Sequence, residues 1–363
     1  MDKNIPSFDK TRKLLLNHFQ AYPKLRSEDM FKFLFQSALG CEHLVSDEDA
    51  VLKYLEREYE SVSRTALPLI EALDGAYSRV HLSCLNEGLE VGTLAKLFCM
   101  SAKLEENGKN ALLDKLEVAK ELVSDGVLPL DLSEFNNLLE AWAQADYPAL
   151  HHSQTFRDEY RPAYRVIADE YADYLMIFTK IDQLLKSKSK NVVVAIEGAS
   201  ASGKTTLCEI LKRVYDCNVF HADDFFLRPE QRTSERLAEV GGNLDRERFF
   251  DEVISHLGGK ETIVYRPFDC MTQALCADVC VLPKKLTVVE GVYCMHPSFS
   301  RYYDLGIYLD ISPKYQKERI LKRNPPRLAQ RFFDEWIPLE NVYFEKTDIK
   351  KRCDLTVPIK EEQ

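Results

Sequence analysis

The residues whose types and spacing most directly predict chemistry lie between positions 191 and 206. Gly198 and the segment Gly203–Thr205 match the pattern G-x-x-x-x-G-K-[S/T], and an apolar, β-branched run precedes them. Glycines at these positions let the backbone turn sharply, so that successive N–H groups converge on phosphate oxygens. The pattern therefore predicts a phosphate-binding loop at the end of a buried strand.

The side chains of this loop fit a nucleotide with Mg²⁺. Lys204 would carry a mobile positive charge to the β- and γ-phosphates, and the Thr205 hydroxyl can bind the metal. A predicted helix over Thr206–Tyr215 would direct its positive dipole end at the same anion. The predicted nucleotide-binding residues are Gly198, Ala199, Ser200, Ala201, Ser202, Gly203, Lys204, Thr205 and Thr206.

Acidic residues follow two other predicted strands. Asp223 could take a proton from an attacking hydroxyl or hold Mg²⁺. Glu290 precedes a glycine at the end of its strand, where it could order the water shell of the metal. The alternatives are a helix cap for Asp223 and a surface acid in a turn for Glu290.

A basic segment around a Pro-Pro break, residues 317–331, is called the lid segment below. Its candidate catalytic arginines are Arg319, Arg323 and Arg327. Arginines on a mobile flap can clamp phosphates and neutralise charge in the transition state of phosphoryl transfer. The alternative is a solvated helix face.

The length of 363 residues predicts two domains, since one hydrophobic core seldom serves so long a chain. The polar stretch Leu185–Lys190 is typical of a linker, so we expect an all-α domain over 1–185 and an α/β domain over 186–363. Apolar residues at i, i+3, i+4 spacing predict helices at Met30–Leu39, Ala50–Tyr59, Leu112–Val123 and Val166–Leu185.

After the linker the pattern alternates between strand and helix. This alternation predicts a mainly parallel sheet with helices on both faces, and ligands then bind beyond the carboxyl ends of the strands. The predicted strands are Val192–Ile196, Asn218–His221, Thr262–Tyr265, Leu286–Val289, Leu305–Leu309 and Leu355–Pro358.

Composition narrows the function classes. The net charge of −10 argues against a protein that coats nucleic acids. The sequence has no apolar run of membrane-spanning length, no signal-peptide core and no C-x-x-C pair among its ten cysteines. We expect a cytoplasmic protein with reduced thiols whose partners are ATP and a small molecule, not nucleic acid or membrane. The sequence leaves open whether the protein forms a homo-oligomer.

Together these motifs resemble the uridine kinase family and its relatives, which include phosphoribulokinase and bacterial pantothenate kinase, over residues 190–358. The resemblance implies a P-loop kinase domain that transfers a phosphoryl group from ATP to a hydroxyl, with Asp223 as the base. It further implies that Asp245 contacts ribose hydroxyls. The other implied acceptor-site residues are Phe226, Tyr265, Phe268 and Asp269.

The chain departs from the nucleoside kinases of that family in two places. It continues Cys-Met-Thr-Gln after Asp269, where they have His-Ser-Arg, and Phe226 replaces a tyrosine. We expect a nucleoside acceptor. The alternatives are a non-nucleoside alcohol or sugar-like acceptor and a non-catalytic nucleotide-dependent regulator. A GTPase is disfavoured because no N-K-x-D motif follows the loop.

Two polar clusters of the N-terminal half, Gly40–Leu44 and His151–Ser153, fit either a second site or hydrogen-bonded structural histidines.

Overall fold

The computed structural model describes residues 5–41, 47–62, 68–73, 76–102 and 108–361. Residues 42–44 of the Gly40–Leu44 cluster lie outside this part of the chain. The chain divides into two compact units, Met1–Asp182 and Gln183–Gln363.

The N-terminal unit is rich in helices. Those at positions 30–39, 50–59 and 112–123 form as predicted. Its helices are α1 (Ile5–Ala21), α2 (Ser27–Leu39), α3 (Glu48–Tyr59), α4 (Val91–Ser101), α5 (Gly108–Ser124), α6 (Leu132–Gln144), α7 (Gln154–Tyr160) and α8 (Asp169–Ala172). The next helix, α9 (Leu175–Ser187), begins in this unit and runs past the division after Asp182.

An antiparallel sheet of three strands corrects the all-α prediction for this unit. It consists of β1 (Ile70–Ala72), β2 (Tyr77–His81) and β3 (Tyr164–Ala168), in that order. The predicted helix Val166–Leu185 is therefore wrong in its first residues. The run of β3 contains aromatic and β-branched residues that favour a strand, and it pairs with β2, all five of whose residues are buried.

The histidine cluster of the N-terminal unit forms structural hydrogen bonds. His152 is buried, its Nδ1 lies 2.9 Å from Asp29 Oδ1, and its Nε2 lies 2.6 Å from the Tyr164 hydroxyl. Burial lowers the pKa of His152 to about 4, so the imidazole is neutral near pH 7. Asp29 also accepts hydrogen bonds from the Ser153 N–H and hydroxyl groups. The cluster thus links α2 to the start of α7.

A parallel sheet of five strands forms the C-terminal unit, which confirms the predicted α/β class. The strand order is β12-β11-β4-β10-β5, and every pair is parallel. Five of the predicted strands build this sheet: β4 (Val192–Gly198), β5 (Cys217–His221), β10 (Leu286–Glu290), β11 (Leu305–Asp310) and β12 (Leu355–Pro358).

The remaining predicted strand, Thr262–Tyr265, forms as β6 (Ile263–Tyr265) but lies outside the main sheet. It pairs antiparallel with β9 (Val279–Val281). Two shorter strands, β7 (Phe268–Asp269) and β8 (Ala274–Leu275), form a second hairpin. These hairpins put the predicted acceptor motif on a separate structure beside the sheet.

Helices follow most strands of the C-terminal unit. They are α10 (Lys204–Val214), α11 (Ser234–Ala238), α12 (Arg246–Glu252), α13 (Pro313–Arg323), α14 (Pro326–Arg331), α15 (Ile337–Thr347) and α16 (Ile349–Arg352). A π-helical turn at Phe332–Trp336 joins α14 to α15. Within the described ranges, no helix is both long and apolar enough to cross a membrane.

Candidate active site

The loop between β4 and α10 has the geometry that its glycines predict. Gly198 has φ 151°, and a Cβ there would lie 2.7 Å from the carbonyl oxygen of Leu309 on β11. Gly203 has φ 100° directly before the first residue of α10. Since both conformations disfavour residues with a side chain, the two glycines fix the course of the loop.

Polar groups of this loop fit an anion. Lys204 is 8% exposed, and its Nζ donates to the carbonyl oxygens of Gly198 at 2.8 Å and Ala199 at 3.1 Å. The buried Ser202 hydroxyl has no hydrogen-bond partner within the described residues. A phosphate would offer acceptors to both groups, and the N-terminus of α10 faces the same place.

Oxygen donors suited to Mg²⁺ meet beside the loop. Thr205 Oγ1 lies 3.0 Å from Glu290 Oε1, because the ends of β10 and β4 are in register. Hydroxyl and carboxylate oxygens are ligands that Mg²⁺ prefers, usually with phosphate oxygens and water. No group of three or more His, Cys, Asp or Glu side chains able to hold a metal occurs among the residues described.

His221, to which the sequence analysis assigns no role, also contacts Glu290. It ends β5 opposite Glu290, and its Nδ1 lies 2.7 Å from Glu290 Oε1. Burial acts to raise the pKa of Glu290, but the His221 hydrogen bond and the Lys204 charge outweigh it and hold that pKa below its usual value. The same hydrogen bond raises the pKa of His221. Glu290 is thus kept as a carboxylate.

Asp223 lies on the 3₁₀ turn after β5, with its side chain exposed to a large cleft. It makes no hydrogen bond or ion pair within the described part of the chain. Although one side is open, the protein around the carboxylate removes bulk water. This desolvation, with nearby Glu290, outweighs the Lys204 charge and raises the pKa of Asp223. A carboxylate with unused acceptor capacity and a raised pKa suits a general base.

The cleft that contains these groups has a volume of about 1390 Å³. Ligand pockets for one small molecule typically measure about 300–1,000 Å³. The cleft therefore has room for a nucleotide and a second small molecule. From the predicted loop it exposes Ser200, Ala201, Gly203, Lys204, Thr205 and Thr206.

Only Phe226, of the predicted acceptor residues, is among those that line the cleft in the described structure. Asp245 is 2% exposed: it caps α12 by accepting the Arg248 N–H at 3.2 Å, and it accepts Gln231 Nε2 at 2.9 Å. Asp245, the predicted ribose-binding residue, therefore does not line the cleft in the described structure, because its carboxylate caps α12 and binds Gln231.

The other predicted acceptor residues also serve local structure. Tyr265 is buried, and burial with the nearby Asp224 carboxylate raises the pKa of its hydroxyl to about 12. Phe268 is 4% exposed. Asp269 accepts hydrogen bonds from Met271 N at 2.7 Å and Thr272 Oγ1 at 2.9 Å, which closes the turn between β7 and β8.

The lid segment forms α13 and α14, and it presents part of its charge to the cleft. Arg319 and Arg323 line the cleft, whereas Arg327 is not among the described residues that do so. Arg331 lines it as well and pairs with Glu335 at 2.9 Å. The structure therefore brings two of the three predicted arginines to the site.

Two buried glutamates that the sequence did not single out support the loop. Glu340 on α15 accepts the Ser200 N–H at 3.0 Å and the Ser200 hydroxyl, and burial raises its pKa. Glu197 at the end of β4 accepts the N–H groups of Gly198 and Met295 and the Tyr343 hydroxyl. The sequence signal that could have pointed to Glu197 is its position directly before the phosphate-loop pattern.

Comparisons with known proteins match the C-terminal half. The chain is 26% identical over 186 residues to a Schizosaccharomyces pombe protein provisionally named a uridine kinase, a match that covers 45% of this chain and 78% of that protein. The C-terminal half of the chain resembles the uridine kinase-like P-loop kinases. No family model matches the chain.

Solved structures also match. A Bacillus stearothermophilus protein provisionally described as a uridine kinase is 21% identical, with a TM-score of 0.39, and the match covers 50% of this chain and 98% of that one. A Silicibacter sp. TM1040 protein provisionally described as a fructose transport system kinase is 20% identical, with a TM-score of 0.38, and covers 47% and 91% of the two chains.

Proposed function

We propose that the C-terminal unit is an ATP-dependent kinase that transfers a phosphoryl group to a hydroxyl of a small molecule. The observation that carries this proposal is the placement of Asp223 and the phosphate-binding loop on one cleft. Asp223 is exposed there with no partner in the described structure, in a space large enough for two ligands.

In the proposed reaction the acceptor hydroxyl gives its proton to Asp223 as its oxygen attacks the γ-phosphorus. The bond between that phosphorus and the β–γ bridging oxygen breaks, and ADP leaves. Lys204 and the loop N–H groups hold the phosphates, and Arg319 and Arg323 stabilise the transferring group. Mg²⁺, held by Thr205 and by Glu290 through water, would neutralise phosphate charge when bound.

We propose a small alcohol as the acceptor rather than specifically a nucleoside. The resemblance makes uridine and cytidine the first compounds to try. However, Asp245, which is expected to contact ribose hydroxyls, and Asp269, an implied acceptor-site residue, both accept hydrogen bonds within the protein. The cleft geometry therefore supports the chemistry more strongly than it supports a nucleoside.

A screen of ADP release tests the proposal. The full chain with Mg-ATP would be offered a library of small alcohols that includes uridine and cytidine. We expect at least one compound to raise ADP release above the acceptor-free rate, and mass spectrometry to detect its phosphate ester. If Mg-ATP does not bind, or if ADP release never depends on an acceptor, the kinase proposal fails.

A further inference from the structure

Arg232 places a positive charge in the cleft, and it belongs to neither the phosphate-binding loop nor the lid segment. It follows the 3₁₀ turn Pro229–Gln231, and its side chain is exposed to the cleft. Its Nε and Nη2 donate to the carbonyl oxygen of Leu227 at 3.0 and 2.8 Å, and the guanidinium lies 5.8 Å from the centre of the Phe268 ring. These contacts fix the guanidinium and leave three of its five N–H groups available.

The charge of Arg232 is unpaired, unlike that of its neighbours. In the described structure no carboxylate lies within ion-pair distance of Arg232. The other arginines from Phe226 to Phe250 each have a carboxylate partner: Arg228 pairs with Glu230 at 3.3 Å, Arg236 with Glu247 at 2.7 Å, Arg246 with Glu239, and Arg248 with Glu252 at 3.4 Å. The arginine exposed to the cleft is thus the one whose charge the protein does not neutralise.

Arg232 lines the same cleft as Phe226 and contacts the ring of Phe268, and both of these are predicted acceptor residues. The nearby wall includes Phe226, Asn243 and Gln273, which are aromatic or amide side chains without charge. Asp223 and Arg232 also act on the same thiol: burial and Asp223 raise the pKa of Cys270, whereas Arg232 opposes the rise. Asp223, Arg232 and Cys270 all line the same cleft, and the cation and the proposed base are both near enough to Cys270 to affect its thiol.

We propose that Arg232 binds a carboxylate or phosphate group of the acceptor, so that the substrate is an alcohol carrying a negative charge. The proposal rests on the kinase function proposed above. A fixed guanidinium edge suits either group, because two parallel N–H donors match two oxygens of a carboxylate or phosphate.

Matched pairs of alcohols test this specificity. The full chain with Mg-ATP would be assayed for ADP release with glycerol, glycerate and glycerol 3-phosphate, and with ribose and ribose 5-phosphate. We expect kcat/KM for a charged member to exceed that of its neutral partner by at least tenfold. Whether glycerate or the phosphate esters are preferred distinguishes a carboxylate from a phosphate.

Arg232→Gln should raise the KM of the preferred charged acceptor by about 10- to 100-fold, the effect of losing charge-assisted hydrogen bonds. Arg232→Lys should restore part of the loss. Arg228→Gln, which changes an arginine outside the cleft, is the matched control and should leave that KM unchanged.

Three results would overturn the inference while leaving the kinase proposal intact. They are preference for the neutral members, turnover of no charged member, and an Arg232→Gln effect confined to the KM of ATP. Failure to bind Mg-ATP would instead remove the kinase proposal itself.

Discussion

Lys204 is the residue whose charge we propose to serve nucleotide binding most directly. In the described structure its ammonium group donates to two carbonyl oxygens of its own loop. These contacts hold the ammonium group at the loop, and Lys204 forms no ion pair in the described structure, so its charge is available to a bound phosphate.

Lys204→Ala should lower ATP turnover by about 10²–10³-fold or more, since one preorganised charge is lost from the transferring phosphates. The fold should persist, and thermal shift with Mg-ATP should show less stabilisation than in the wild type. Equal turnover and equal ATP-induced stabilisation in both proteins would remove the assignment of the loop.

Asp245 is a structural cap in this fold. Asp245→Ala should destabilise the protein by about 1–2 kcal/mol, because α12 loses its N-cap and Gln231 loses its acceptor. Urea denaturation measures this change. Asp251→Ala, an exposed position on the same helix, is the control and should stay within about 0.5 kcal/mol of wild type. A direct substrate contact would instead appear as a raised acceptor KM with unchanged stability.

At the scale of elements, Glu197 joins β4 to α15 and to the segment after β10. It is fully buried, and burial raises its pKa to about 7 from 4.5. Because the folded state holds this proton more tightly than the unfolded state, the resulting stability is present below pH 4.5. It is lost as the pH rises toward 7.

Glu197→Gln removes this titration. The free energy of unfolding of the wild type, measured relative to the variant, should fall by about 2–3 kcal/mol between pH 5 and pH 8. Urea melts at four pH values would measure it. A difference that stays constant over this range would mean that Glu197 does not titrate there.

Elements that follow from local pattern could be predicted from the sequence. The strand ends of β4 and β10 could be placed because each has an apolar run followed by a glycine or an acid, and that of β5 because a short strand pattern precedes Asp223. Their parallel register then brings Glu290 opposite His221. The hairpin of β6 and β9 could not be placed, because a short strand run does not specify its partner.

Contacts between segments far apart in the chain could not be predicted either, because a local sequence pattern does not specify its distant partner. Glu340 and Ser200 are 140 positions apart, so only the folded chain shows that a side chain of α15 accepts a hydrogen bond from the phosphate-binding loop. The use of Asp245 as a cap was also hidden, since a carboxylate before a helix fits both capping and sugar binding.

At the scale of the whole molecule, we propose that the division into two units is also a division of function, with catalysis in the C-terminal unit. The residues that line the cleft all lie between Ser200 and Glu340. The five-stranded sheet that positions them also lies within Gln183–Gln363.

A fragment of residues 183–363 should therefore fold and bind Mg-ATP, as judged by circular dichroism and thermal shift. The same fragment with Lys204→Ala is the control and should lose most of the ATP-induced shift. An unfolded fragment, or one whose melting temperature ignores Mg-ATP, would show that the boundary or the assignment of function to this unit is wrong.

Replacement of the proposed base, Asp223, is the most direct test of the proposed chemistry. Transfer of the labelled γ-phosphoryl group from ATP to the best acceptor of the screen would be measured in wild type, Asp223→Asn and Asp224→Asn. Since an amide cannot take the proton of the hydroxyl, kcat should fall by about 10²–10⁴-fold in Asp223→Asn, with Mg-ATP binding retained. Asp224→Asn should lose less, because Asp224 is not among the described residues that line the cleft. Transfer by Asp223→Asn within tenfold of the wild type would contradict the proposed mechanism.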